Sequence, residues 1–204
     1  ITVNPKPSLT NQLTKEICSG TAAGIALTSN IPATFIWTVG TITGGITGAS
    51  AVSGNTINQV LTNPGNAADG TVTYIVTPTA VTGSCPGIAT NILVTVHPKP
   101  AVTNAATAAV CSGAALNIAL TASVASTFTW TIGAITGSIT GALPGSGPTI
   151  NQVLTNPSAV AAGTVKYIIT PTSDVNLCTG NPFTITVTVN PIHTVTVGSS
   201  TSSI

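Results

Sequence analysis

The chain of 204 residues repeats itself at an interval of 93 residues. The run from Asn58 to Pro64 returns unchanged as Asn151 to Pro157, and the two copies align without a gap. Four further landmarks return at the same interval: Cys18 as Cys111, Trp37 as Trp130, Tyr74 as Tyr167 and Cys85 as Cys178. A period of this length predicts tandem domains of one fold, because each repeat must bury its own apolar face.

The sequence that joins consecutive repeats predicts where the domains begin and end. Residues 2–7, Thr-Val-Asn-Pro-Lys-Pro, match residues 95–100, and residues 188–191 begin a third copy of this join. We therefore expect a chain cut from a longer array. It divides into 1–7 (the end of a preceding repeat with its join), 8–100 (first repeat), 101–191 (second repeat) and 192–204 (the start of a next segment or a tail).

Two prolines in each join predict a stiff connection. Proline fixes its own φ and restricts the residue before it, so a proline-rich join holds its neighbours in line where a Gly/Ser linker would not. The residues concerned are Pro5, Pro7, Pro98 and Pro100.

Apolar and polar side chains alternate with a period of two inside each repeat, as in β-strands. Phe35 and Trp37 share one face of such a strand, and Ile36 lies on the other face, which we predict to be outward because Thr129 replaces it in the second copy. Short strands divided by Gly, Pro and Asn turns predict an all-β fold of tandem Ig-like antiparallel β-sandwiches. The predicted core aromatic residues are Phe35, Trp37, Tyr74, Phe128, Trp130 and Tyr167.

Four cysteines allow three disulfide connectivities. Equivalent placement in the two copies favours one bridge per domain, Cys18 with Cys85 and Cys111 with Cys178. The main alternative pairs Cys85 with Cys111 across the join and leaves the other two for neighbouring units. Both schemes imply an oxidising, extracytoplasmic environment. A zinc site is not expected, because no pair has the close CxxC-type spacing.

The charge and hydropathy of the chain exclude several classes of protein. Only 3% of the residues are charged, arginine is absent and the net charge is +1, so the basic patch that nucleic-acid binding requires is missing. A 43% apolar content with so little charge also argues against disorder. Polar residues interrupt every apolar stretch before the roughly 18 residues that a membrane-spanning helix needs.

The repeat also serves as an internal control for catalysis and metal binding, because a site needed by every domain should occur in both copies. No carboxylate or histidine is shared, and we expect no catalytic, cofactor or metal site, hence no enzyme. A turn role is expected for Asp69 and Asp174. The aligned pairs are Glu16 with Ala109, Asp69 with Ala162, Asp174 with Val81 and His97 with Asn4 and Asn190.

Short motifs in a fixed order resemble the PKD-like (Ig-like) repeats of very large bacterial surface proteins. The second repeat shows Val110-Cys-Ser-Gly113, Phe128-Thr-Trp-Thr131, Ile139-Thr-Gly-Ala142, Cys178-Thr-Gly180 and Thr186-Val-Thr-Val-Asn-Pro191, and the first repeat has counterparts of each. The resemblance covers nearly the whole chain. It implies an extracellular, cell-surface protein of the kind found in gliding bacteria with type IX secretion, where such arrays form adhesins and filaments.

These observations predict a structural role in cell adhesion, as a rigid, disulfide-pinned stalk or filament shaft. The expected partners are neighbouring repeats of the same chain. Threonine-rich faces and sheet edges poor in lysine favour self-association into fibres. A module that binds a cell-surface glycan, or a host or other substratum, is the alternative, and exposed aromatic residues would favour it. Ice binding would require flat, regular threonine ladders.

Overall fold

The computed structural model describes residues 3–192, and within that range all regular secondary structure is β. The segment predicted at 192–204 therefore lies outside the described residues except for its first residue. The strands of the first repeat are β1 (Thr14–Cys18), β2 (Thr21–Ala22), β3 (Ile25–Ala26), β4 (Ala33–Ile42), β5 (Val52–Ser53), β6 (Thr56–Ile57), β7 (Val60–Leu61), β8 (Gly70–Ala80) and β9 (Thr90–His97). Those of the second repeat are β10 (Thr107–Cys111), β11 (Ile118–Ala119), β12 (Ser126–Thr136), β13 (Gly145–Ser146), β14 (Thr149–Ile150), β15 (Gly163–Ser173) and β16 (Phe183–Asn190).

The chain folds into two compact units, whose membership differs from the repeat boundaries in one place. The first unit contains Ile1–Pro100 together with Val175–Cys178, and the second contains Ala101–Asp174 and Thr179–Ile204. The short segment Val175–Cys178 thus belongs to the second repeat by sequence and to the first unit by its contacts. The finer division of the chain at residues 7, 100 and 191 stays a prediction.

Each unit is a two-layered β-sandwich. In the first unit one layer is a five-stranded sheet in the order β1-β9-β8-β4-β5, and the other consists of the short pairs β2–β7 and β3–β6. In the second unit the large sheet has the order β10-β16-β15-β12-β13, and β11–β14 forms a short pair. The predicted all-β fold of tandem sandwiches is confirmed.

One strand pairing departs from the antiparallel pattern, and it does so in both units. β1 runs parallel to β9, with Thr14 opposite Leu93 and Cys18 opposite His97, and β10 runs parallel to β16 in the same register. The cause lies just before β1, where Leu9 still bridges Ser29 on the other side of the unit. The chain then crosses to the large sheet and reaches the free edge of β9 in the same direction as β9.

The core of each unit lies between its two layers and follows the alternation in the sequence. Phe35 and Trp37 of β4 are buried, whereas Ile36 between them is 56% exposed, so the outward face was assigned correctly. β8 buries alternate residues along its whole length. The largest fully buried side chains of the first unit are Tyr74, Ile57, Leu61, Ile92, Val72, Val76 and Val94, and Tyr167, Ile150, Leu154, Ile169 and Ile185 are their counterparts in the second.

In each unit one glycine packs directly against the backbone carbonyl of another segment. Gly141 has φ +92°, and a Cβ there would overlap the carbonyl oxygen of Val153. Gly48 meets the carbonyl of Val60 in the same way. Gly113 has a similar φ of +82° with open space around it, so it isolates the cost of the backbone conformation alone.

We predict that Gly141→Ala destabilises the second unit much more than Gly113→Ala. The left-handed backbone costs an alanine about 1 kcal/mol at either site, and at Gly141 the overlap with Val153 raises the loss to about 3 kcal/mol or more. Urea denaturation of the two variants measures the difference in the free energy of unfolding. Equal losses would contradict the close approach.

Candidate functional site

A buried tyrosine anchors the glutamine of the repeated run in the first unit. The Tyr74 hydroxyl donates to Gln59 Oε1 at 2.8 Å, and Gln59 Nε2 donates to the Ser50 carbonyl at 2.7 Å. Trp37 Nε1 donates to that same carbonyl at 3.1 Å. The core aromatic residues are thereby tied to the turn that precedes β5.

The second unit contains the same network with the same geometry. Tyr167 donates to Gln152 Oε1 at 2.9 Å, Gln152 Nε2 donates to the Leu143 carbonyl at 2.7 Å, and Trp130 Nε1 donates to that carbonyl at 3.1 Å. Burial raises the pKa of Tyr167, and likewise that of Tyr74, to about 12. The shared glutamine therefore uses its side-chain amide for hydrogen bonds within its own unit.

We predict that the stability of the protein falls between pH 10 and pH 12. The tyrosines of the unfolded chain ionise near pH 10, whereas the folded ones keep their protons to about pH 12, so rising pH favours the unfolded state across that window. The measurement is the free energy of unfolding against pH with Cys85 and Cys111 changed to serine, which prevents thiol exchange.

The matched control is the double variant Tyr74→Phe with Tyr167→Phe. It should start less stable, because Gln59 and Gln152 lose a donor, and it should show a shallower decline above pH 10. An unchanged slope in this variant would show that the tyrosines are not responsible.

A second shared network closes the end of each unit where β9 or β16 finishes. Asn63 Nδ2 donates to the carbonyls of Ala68 at 2.9 Å and Val96 at 3.0 Å, and the Gly65 amide donates to Asn63 Oδ1 at 2.9 Å. Ser19 Oγ accepts from the Asn63 amide at 2.9 Å. Asn156 and Ser112 make the corresponding bonds in the second unit. Within the unchanged run from Asn58 to Pro64, Gln59 and Asn63 are thus held by internal hydrogen bonds, and Leu61 is fully buried.

The disulfide in the structure is not one of the predicted pairs. Cys18 is bonded to Cys178, with their Cα atoms 5.5 Å apart, while Cys85 and Cys111 are free thiols. The predicted pairs Cys18–Cys85 and Cys111–Cys178 are therefore wrong, and so is the alternative bond between Cys85 and Cys111.

The topology of the large sheet explains why Cys18 does not bond to Cys85. Cys18 lies opposite His97, at the last residue of β9, whereas Cys85 lies in the loop that precedes Thr90, the first residue of β9. The two ends of β9 are about 23 Å apart at roughly 3.3 Å per residue, and a disulfide requires Cα atoms within about 7 Å. Cys178 reaches Cys18 because Val175–Cys178 belongs to the first unit.

Next to Cys18 lies a charged group that occurs only in the first unit, the His97 cluster of Glu16, Asp69 and His97. His97 is 6% exposed, its Nδ1 is 2.9 Å from Asp69 Oδ1, and its Nε2 is 3.5 Å from Glu16 Oε2. Both carboxylates are largely in contact with solvent. The turn role expected for Asp69 was incomplete, since its carboxylate also orients the His97 ring.

The groups around the His97 ring do not supply a partner for nucleophilic catalysis. Nε2 is buried without a hydrogen-bond partner, and Ser19 Oγ, the nearby hydroxyl, is already bonded to Asn63. A nucleophile–base pair of the kind used in acyl transfer is therefore not assembled there. Among residues 3–192 no three His, Cys, Asp or Glu side chains are grouped so as to hold a metal ion.

The sequence contains a signal for the His97 cluster in positions that the two repeats do not share. The second repeat has Ala109, Ala162 and Asn190 at the three positions, so the ionisable side chains are gained or lost together. Three coordinated differences between otherwise similar repeats indicate spatial neighbours.

The other predicted residues are placed as follows. All six core aromatic side chains are buried in the two cores, and the remaining aromatic residue, Phe183, is half-buried against the second core. In the joins Pro7, Pro98 and Pro100 are buried and Pro5 is exposed. The described residues contain no helix that could cross a membrane.

A family model described as PKD-like domain matches the chain twice, over residues 15–100 and 108–193. The chain belongs to the PKD-like domain family. PKD-like repeats are usually extracellular, and an intramolecular disulfide agrees with an oxidising environment. The gap between the two matches, residues 101–107, contains the start of the second PKD-like repeat.

Solved structures with low sequence identity resemble these PKD-like repeats. Mouse protocadherin-24 EC1-3 is 9% identical, with 91% of this chain and 70% of that chain covered and a TM-score of 0.38. Human mucin-like protocadherin EC1-2 is 14% identical, with coverages of 92% and 98% and a TM-score of 0.35. SGBP-B from the mixed-linkage glucan utilization locus of Bacteroides ovatus, solved in complex with a mixed-linkage heptasaccharide, is 18% identical, with coverages of 92% and 48% and a TM-score of 0.29. No curated protein matches significantly.

We predict that the stability of the first PKD-like repeat depends strongly on the polar network that both repeats share and weakly on the His97 cluster. Asn63→Ala leaves the buried Val96 carbonyl and the partly buried Ala68 carbonyl without their donor and should cost about 3 kcal/mol of unfolding free energy. The triple change Glu16→Ala, Asp69→Ala and His97→Asn reproduces the residues of the second repeat and should cost about 1 kcal/mol or less. Denaturant unfolding compares the two variants. A larger loss in the triple variant would assign the His97 cluster a structural role.

Proposed function

We propose that this protein is a non-catalytic, tension-bearing spacer of an extracellular surface protein, acting as a stalk or filament shaft. The observation that carries the proposal is the parallel pairing of the first and last long strands of each unit. A spacer must transmit load along its chain without unfolding, and the direction in which a strand pair is loaded decides how well it resists.

When the Cys18–Cys178 bond is reduced, an end-to-end load shears the parallel pair of each unit. The chain enters the β1–β9 pair at Thr14 and leaves it at His97, and these residues lie at opposite ends of the pair. Pulling them apart slides one strand along the other, so that all the hydrogen bonds between the strands are strained together. A pair pulled from one end loses its bonds one after another and opens at lower force.

The disulfide gives the spacer a second, covalent load path, which limits how far the chain can extend. Cys18 and Cys178 are 160 residues apart in sequence. With the bond closed, the end-to-end load passes through the disulfide, and the residues between the two cysteines, including β9 and β10, form a loop that does not carry it. Partial unfolding inside that loop then leaves the length of the tether unchanged.

The internal use of the repeated polar residues also favours a structural role. Gln59, Asn63 and Ser19, together with their counterparts in the second unit, are bonded to backbone groups or to the buried tyrosine of their own unit. The polar residues that the two repeats share therefore stabilise the fold of their own unit.

Glycan binding is the alternative function, and the placement of the aromatic side chains argues against it. Sugar rings are commonly bound against the exposed face of an aromatic ring. Trp37, Trp130 and the two tyrosines are buried, so none of these four rings offers such a surface.

The wider setting that we propose follows from the motif resemblance. Arrays of similar repeats in giant surface proteins of gliding bacteria with type IX secretion place this chain in an adhesin or surface filament. Its partners would be neighbouring repeats and, in a filament, further copies of the same array.

Single-molecule force measurements on the reduced chain test the shear mechanism. Handles at Leu13 and Lys99 load β1 and β9 from opposite ends, whereas handles at Gly20 and Lys99 load the same pair from one end. We expect a markedly higher rupture force for the first geometry. Equal rupture forces in the two geometries would contradict a tension-bearing role.

The same instrument measures the effect of the disulfide when the chain is pulled from its two ends. Reduction should lengthen the fully unfolded chain by about 560 Å, which is the 160-residue loop at roughly 3.5 Å per residue. The variant Cys18→Ser should show the reduced length without reductant, and Cys85→Ser should behave like the unchanged chain.

A further inference from the structure

The disulfide in the structure joins two different kinds of cysteine, and one of each kind is left unpaired. We call Cys18 and Cys111 first-position cysteines, because each ends the first long strand of its repeat, and Cys85 and Cys178 second-position cysteines, because each lies in the loop before the last strand. The bond runs from the first position of the first repeat to the second position of the second repeat. Cys85 and Cys111 remain as thiols.

The loop that carries Cys85 has the conformation of the bonded Cys178 loop. The residue before the cysteine has a positive φ in both loops, 47° at Ser84 and 53° at Leu177. The sulfur lies 3.5 Å from the carbonyl oxygen two residues earlier at Cys85, and 3.7 Å from the corresponding oxygen at Cys178. A non-glycine residue with positive φ is uncommon, so its recurrence shows a specific loop shape that does not depend on the bond.

Cys111 is equally well placed, because its surroundings repeat those of Cys18. Cys111 lies opposite Asn190 as Cys18 lies opposite His97. The next residue in each case donates its amide to that partner's carbonyl at 2.9 Å, and the glycine that follows has a φ of 82° or 81°. The exposed Cys111 thus has the backbone geometry of a cysteine that is already bonded.

A second observation shows where the partner of Cys85 would lie. Residues 3–7 repeat the sequence of residues 96–100, so that Asn4 occupies the position of His97, the strand partner of Cys18. Gly83 lies directly against the Asn4 side chain, and Gly87 lies against the Pro7 carbonyl. The Cys85 loop is therefore packed beside the residue that would face a first-position cysteine of a preceding repeat.

We propose that Cys85 and Cys111 are half-sites of two further disulfides of the same register. Cys85 bonds to the first-position cysteine of a preceding PKD-like repeat, and Cys111 bonds to the second-position cysteine of a following one. Each repeat is then covalently bonded to both neighbours, and the array is a chain of interlocked loops. This inference concerns the covalent connection of the array and does not depend on the tension-bearing role.

Each new bond forms by two thiol–disulfide exchanges with a small disulfide such as oxidised glutathione. The thiolate of Cys111 attacks one glutathione sulfur and releases a glutathione thiolate. The thiolate of the partner cysteine then attacks the mixed disulfide and releases the second glutathione. Two protein thiols are oxidised, one glutathione disulfide is reduced to two thiols, and the protons of the protein thiols pass to the released glutathione.

The first experiment uses the chain itself, refolded at low concentration in a glutathione redox buffer. Peptide mapping without reduction should give Cys18 linked to Cys178, and the masses of the peptides should show Cys85 and Cys111 as free thiols or as glutathione adducts. A map that links Cys18 to Cys85 would overturn the register on which the proposal rests.

The second experiment inserts a following repeat into the full chain, as a copy of residues 5–97 placed between Asn190 and Pro191. The original first repeat carries Cys85→Ser. After this substitution the cysteine of that loop occurs only in the added copy, so a linked peptide that contains it must come from the added copy. We expect Cys111 to be linked to the second-position cysteine of that copy and the copy's first-position cysteine to remain the single free thiol among five cysteines.

The matched control is the same extended chain with Cys111→Ser. It should keep the bond between Cys18 and Cys178, which shows that the first two repeats have folded, and it should leave both cysteines of the added copy reactive. The proposal is overturned if Cys111 stays reactive in the extended chain while Cys18 and Cys178 are bonded, or if Cys111 bonds to Cys178.

Discussion

The parallel pairing of β1 with β9, repeated as β10 with β16, is the constraint on which the rest of the structure depends. It brings the first long strand of each unit to the edge of the large sheet and places its final cysteine beside the end of the last strand. The same pairing puts the points of chain entry and exit at opposite ends of one strand pair. Cross-linking and mechanical loading are both consequences of this single arrangement.

The low charge of the chain is consistent with such a design. The polar side chains that the two repeats share, such as Asn63 and Gln59, are uncharged and are hydrogen-bonded within their own unit. Two of the three carboxylates belong to the His97 cluster, where the repeats differ, beside the Cys18–Cys178 bond. The sandwich therefore tolerates ionisable residues at this end without requiring them.

Comparison of the two repeats predicted some features well and missed others for a physical reason. The alternation around Trp37 predicted the core, because the two faces of a strand differ in burial whatever the topology. The disulfide prediction failed, because equivalent cysteines are compatible with bonds inside a repeat and with bonds from one repeat to the next. The His97 cluster could not be predicted from shared residues, because it consists of residues present in one repeat only.

The sequence by itself determined the number of PKD-like repeats, their all-β character and the side chains that form each core. These properties depend on local periodicity and on burial, and both can be predicted from the order of apolar and polar residues. The tertiary structure alone decided which strand ends meet, and with them the partner of each cysteine. Cys85 is much nearer to Cys18 in sequence than Cys178 is, yet it lies at the far end of β9, whereas the segment Val175–Cys178 packs in the first unit and delivers its cysteine to Cys18.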